Sequence, residues 1–110
     1  MADLMRDTIL AMEAGPELNA LVKARFTIRH RYPSIDIAAA MEVVETVDEK
    51  WIFDFRRNRV AGKVQIEVSF WRWKRGKLSE SYESVAPTAP LAICRAALLT
   101  TLEVKATSDV

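Results

Sequence analysis

"VQIEVSFWRWKRGKLSESYE", residues Val64 to Glu83, is the stretch on which the fold turns. Val64, Ile66, Val68 and Phe70 alternate with Gln65, Glu67 and Ser69, the period-two pattern of a strand with one buried and one wet face. At Trp71 the parity flips. Trp71 and Trp73 fall on the side that had been polar, among Arg72, Lys74 and Arg75. Three arrangements satisfy the flip. A β-bulge near Phe70 returns Trp71 or Trp73 to the core. Alternatively, both stay on the outer face and are covered by N-terminal helices. In the third, they form an exposed aromatic patch flanked by guanidinium groups, residue types enriched at binding hot spots.

Working outward, "WIFDFRR" alternates Trp51, Phe53 and Phe55 against Ile52, Asp54 and Arg56, which predicts a preceding strand. "NRVAG" between the two reads as a hairpin loop with Asn58 and Gly62 as turn residues, and "KRGK" centres the next turn on Gly76. "LSESYESV" is a weaker third strand, and its Ser and Glu content suits an edge. Upstream, Asp7 is placed to cap a short turn, "DTILAMEA". Pro16 suits the first position of a helix in which Leu18, Leu21, Val22 and Phe26 form one stripe. Ser34 is the expected cap of a further helix from Ile35 to about Val47. After the meander, Thr88 caps and Pro90 sits in the first turn of a last helix, Ala89 to about Glu103. The expected fold is therefore α+β: helix, helix, three antiparallel strands, helix, as a layered α/β/α sandwich. One domain is expected, with residues 1–15 a short helix and turn, 16–104 the core and 105–110 a flexible tail.

The last helix carries only Arg95 as a charge before Glu103. It is apolar nearly all round and has to be covered on more than one side. It either lies between the sheet and another helix or contributes to a subunit interface.

The chain has 110 residues and a net charge of +1, with half its residues apolar, the profile of one soluble globular domain with a modest core. The distribution of charge is more telling than its sum. From Lys50 to Lys77 nine basic residues (Lys50, Arg56, Arg57, Arg59, Lys63, Arg72, Lys74, Arg75, Lys77) face two acids, Asp54 and Glu67. The preceding segment is acidic, with Asp36, Glu42, Glu45, Asp48 and Glu49. Such a division steers an anionic partner or lets identical copies attract head to tail. A single cysteine, Cys94, forms no internal disulfide, and with one histidine there is no metal-ligand set. No metal and no cofactor are expected. Asp3, Arg6 and Asp7 break the N-terminus as a secretory signal, and no apolar run approaches the ~20 residues that cross a bilayer. No membrane partner is expected, and a reducing cytoplasm, that of a host cell, is the expected location.

"YPSIDIAAAMEVVETV" and "APTAPLAICRAALLTTLE", flanking the meander, together resemble the paired signature of the phage ABA sandwich domain, a family of small bacteriophage proteins. The resemblance runs from about Pro16 to Glu103. It implies a layered fold of helix, sheet and helix and a phage or prophage origin. No reaction and no catalytic residues come with it.

The residues themselves give catalysis little support. None of the phosphate-binding, dinucleotide, zinc-protease or nucleophile-elbow motifs is present. His30, in "RHRY", reads as an exposed loop residue with no partner nucleophile, and Cys94 as a small buried hydrophobe. The strand, strand, strand, helix order is also that of the double-stranded RNA-binding module. That module, however, grips phosphates with lysines at the start of its final helix, where this chain reads "TAPLAICR". The expected binding residues are Arg57, Arg59, Arg72, Lys74 and Arg75, for charge-assisted bonds to anions, with Trp71, Trp73 and Tyr32 for stacking. The expectation that follows is a non-enzymatic, phage-encoded accessory protein and homo-oligomer. It would engage a host protein or an anionic nucleotide signal, in the manner of an anti-defence inhibitor. A nucleic-acid-binding factor of replication or packaging and a ligand-free structural homo-oligomer are the alternatives.

Overall fold

The computed structural model describes residues 2–47, 51–74 and 77–107, with side chains described for 5–47, 51–72 and 81–102. Seven elements follow one another: α1 (Ala2–Ala11), α2 (Pro16–Arg25), α3 (Ile37–Thr46), β1 (Ile52–Val60), β2 (Lys63–Lys74), β3 (Lys77–Ala86) and α4 (Ala89–Thr107). The strands form one antiparallel sheet in the order β1-β2-β3. The α+β class and the order of elements are those the sequence predicts.

α4 is the centre of the stack. It packs on β2 and β3 with one side and on α1, α2 and α3 with the others. Its apolar circumference is thereby accounted for inside the chain: from Leu91 to Thr100 only Arg95 escapes full burial. α3 and α4 turn alanines inward where they meet (Ala39 and Ala40; Ala92, Ala96 and Ala97), which lets the two backbones approach closely. Burying side chains such as Ile93, Leu98 and Leu99 is worth roughly 1.5–3 kcal/mol each, so α4 carries much of the stability. Its single charge is used as well. Arg95 donates from Nε to the Met12 carbonyl oxygen at 2.8 Å, and from Nη2 to the same oxygen, just past the end of α1. A cation there satisfies a carbonyl that the helix leaves unpaired and complements the helix dipole. Burial pulls the Arg95 guanidinium below its usual range, while nearby Glu13 pushes it back up.

A buried polar knot fixes the loop before α3. Ser34 donates from its amide (2.9 Å) and its hydroxyl (2.7 Å) to Asn19 Oδ1, and Ser34 Oγ accepts the Gly15 amide at 3.0 Å. This corrects the expected cap. Ser34 is occupied by α2, so Asp36 caps α3 instead, accepting the Ala38 amide at 2.9 Å. Asp7 likewise is no cap, because α1 already begins at Ala2. Pro16 does open α2, and Leu18, Val22 and Phe26 of the predicted stripe are buried. α4 extends past the expected Glu103 to Thr107.

The β1–β2 hairpin is longer and its turn tighter than expected. Val60 pairs with Lys63, so the loop is Ala61 and Gly62 alone, with φ of 52° and 79°. Two consecutive positive φ values give the mirror-image turn whose twist matches that of the strands. Asn58 is therefore no turn residue; it lies in the ladder opposite Gln65. The turn expected at Gly76 lies outside the described residues.

The parity flip at Trp71 is resolved by the register. Ile66, Val68 and Phe70 face α4 and are buried; Trp71, opposite Ile52, stays on the other face, half-buried in the row Ile52, Trp71, Ser81. No described residue of that outer face is fully buried. Among the described residues no bulge returns Trp71 to the core and no N-terminal helix buries its face. The register break falls further on, between Arg72 and Trp73. Arg72 takes the inner-face place that the alternation reserves for an apolar group, its Cζ 4.9 Å from the centre of the Trp51 ring. There it caps a cluster in which Trp51 meets Tyr82 edge-on and Phe53 packs on Phe70. The side chain of Trp73 lies outside the described residues.

Candidate binding surface

β1 gains its place from pairing with β2, and α4 packs chiefly on β2 and β3. The inner face of the hairpin therefore emerges from under the helices as it approaches the turn. From buried Trp51, just before β1, the inner positions pass through half-buried Phe53 to Phe55, 46% exposed, and then to exposed Arg57 and Arg59. Opposite Arg59 is Val64, 42% exposed. On the outer side of the same end lie Arg56, Val60 and Lys63, all exposed. Three apolar side chains and four cations thus share one projecting end of the sheet. Arg56 and Glu67 are directly opposed across the strands, so one of the four cations is locally balanced.

The structure separates the residues named from sequence. Arg57 and Arg59 are together on the inner face near the turn. Trp71 is five residues along β2 from Ile66, the partner of Arg57, which places it about 17 Å away and on the opposite face. Arg72 is folded onto Trp51. Tyr32 is exposed in the loop before α3, on the helical side. The side chains of Trp73 and Lys74, and all of Arg75, lie outside the described residues.

Phe55, Val60 and Val64 belong to the surface but are absent from the residues named from sequence. Alternation alone puts Phe55 and Val64 on the core side, and the fact that α4 does not reach them is a tertiary one.

The remaining groups with chemistry are accounted for by structure. Cys94 is free and buried, and desolvation pushes its thiol up to about 12, so it is protonated at neutral pH and is no nucleophile. His30 is exposed, with Nδ1 3.3 Å from Glu42 Oε2. Glu42 Oε1 also accepts the Arg29 amide, and this bond holds the Glu42 carboxyl below its usual range, with His30 adding to the effect and partial burial opposing it. The pair pins the loop before α3 to that helix. Among the described residues no group of three or more His, Cys, Asp or Glu is placed to hold a metal ion.

A three-stranded meander, one face beneath a buried C-terminal helix that other helices cover in turn, defines a small layered α+β domain. The model of the phage ABA sandwich domain matches residues 4–98, and the chain belongs to that family. No curated protein and no solved structure matches it. No helix among the described residues is long and apolar enough to cross a membrane.

Proposed function

We propose that this is a non-enzymatic, phage-encoded accessory protein that binds, and so inhibits or sequesters, a component of the host cell. The supporting observation is the exposed end of the β1–β2 hairpin, where Phe55, Val60 and Val64 stand among Arg56, Arg57, Arg59 and Lys63. Apolar anchors surrounded by guanidinium groups on a rigid two-stranded arm suit a host protein with an acidic surface. The apolar groups are desolvated on contact, and the arginines supply charge-assisted bonds and steering. The proposed role is anti-defence, in the host cytoplasm; the phage family and this surface support that reading.

The test compares wild type with Arg57→Glu/Arg59→Glu as baits in extract from a susceptible host. Both positions are exposed, so the variant should remain folded and melt within about 5 °C of wild type. Recovery of one stoichiometric host protein by wild type and not by the variant supports the reading. Equal recovery by both, or none, overturns the hairpin as the site. Binding of a short single-stranded oligonucleotide that weakens steeply with salt would favour the nucleic-acid alternative.

A further inference from the structure

A second site lies away from the hairpin. Between α1, α2 and the C-terminal half of α4 is a cavity of about 190 Å³, walled by Ile9, Met12, Leu21, Leu98 and Leu102 and opening beside Arg25. A hydrocarbon-lined cavity of about 150 Å³ takes up benzene, so this one has room for an aliphatic chain of roughly six to eight carbons. Met12, and Met5 near the opening, add side chains that reshape easily around a flexible tail.

One feature selects among apolar ligands. Arg25 is the cavity's single charged wall residue, one helical turn beyond Leu21 on α2. Among the described residues it forms no ion pair with a carboxylate. Thr101, also in the wall, donates its hydroxyl to the Leu98 carbonyl at 2.7 Å and has no proton left for a ligand. Thr8, the other hydroxyl of the wall, is engaged in an interaction of its own, so the guanidinium is the charged donor at the mouth of a wall that is hydrocarbon apart from these two threonines. We propose that the cavity binds a medium-chain aliphatic carboxylate, its tail among Ile9, Leu21 and Leu98 and its head group on Arg25. This site is independent of the proposed hairpin surface and stands or falls apart from it.

Octanoate and 1-octanol, titrated calorimetrically into the full chain, separate the two parts of the proposal. Octanoate should bind saturably and raise Tm, and hexanoate about fifteenfold more weakly, for two methylenes removed. Octanol should bind about fivefold more weakly than octanoate, and Arg25→Gln should bring octanoate down to the level of octanol while leaving octanol unchanged. Leu21→Trp and Thr101→Phe each fill the cavity, from α2 and from α4. Whichever is folded by circular dichroism should bind neither ligand. Absence of saturable octanoate binding overturns the proposal, as does unchanged binding to a folded, filled variant. Equal affinity of wild type for octanoate and octanol overturns the carboxylate head group. Since Arg25 is exposed, the Arg25→Gln comparison remains decisive even if both filled variants fail to fold.

Discussion

α4 and β1 are the two extremes of this chain. Between Leu91 and Thr100 every residue of α4 but Arg95 is buried, whereas none of the nine residues of β1 is. Both are rich in apolar groups, and what separates them is position. α4 has neighbours on every side; β1 has β2 along one edge and nothing along the other among the described residues. Stability is therefore concentrated in the helix, and the strand can display Phe55 and its arginines without weakening the fold. Surfaces for partners are commonly separated from the core in this way, since a group already packed internally has no area left to bury on binding.

The contrast breaks most visibly at Leu99. Leu99→Ala empties a fully enclosed site and should cost about 2–5 kcal/mol in denaturant unfolding, with Tm falling by about 10 °C or more. Phe55→Ala removes a larger side chain yet should cost less than about 1 kcal/mol, mainly its cross-strand contact with Val68. If the two losses are equal, β1 is part of the core and the hairpin surface is misplaced.

Ser34→Ala should fall between those values, at about 1–3 kcal/mol, because it leaves the Gly15 amide without its acceptor. Asn19→Ala, which leaves the Ser34 amide unpaired, should cost a similar amount, and the double variant should cost less than the sum of the two, since only the Ser34 Oγ–Asn19 Oδ1 bond is shared by both. On the hairpin side the sign should reverse. Ala61 holds φ of 52°, which an L-residue adopts at a cost, and Ala61→Asn completes the favoured Asn-Gly pair with Gly62. A gain of about 0.5–1 kcal/mol is expected in urea unfolding, with the hairpin surface unaltered.

The smallest effect is a matter of pH. The native Glu42 carboxyl is held low chiefly by the Arg29 amide, so its contribution to stability is present above the unfolded value near 4.3 and is lost as pH falls through the lower, folded value. Glu42→Gln should remove that share of acid sensitivity. The stability difference between wild type and variant should shrink steadily as pH falls below about 4.

The fold was largely legible because its signals are local. Pro16 opens α2, the alternation of residues 64–70 makes β2, and the near absence of charge in α4 announces burial on every side. The misreadings arise where a residue suited to one local role is engaged by a distant partner. Ser34 has the chemistry of a cap but bonds to Asn19, fifteen residues away, and Asp36 takes its place. Asn58 has turn propensity but pairs with Gln65 once Ala61 and Gly62 supply the two positive φ values.

The candidate surface was legible only in part. The excess of cations between Lys50 and Lys77 marks the hairpin, and Arg57 and Arg59 are exposed there. Alternation placed Trp71 on the opposite face but left open whether a bulge returned it to the core, and nothing in it showed that Arg72 turns onto Trp51, because both depend on where the register shifts.

By itself, then, the sequence determined the elements and their order and the antiparallel meander, since periodicity and composition act over a few residues; the family came from the resemblance of its two flanking helical segments. Tertiary structure alone decided which apolar residues are core and which are surface. Phe55 and Phe70 obey the same alternation on the same face of the same sheet, and only the reach of α4 over β2 leaves one in water and buries the other.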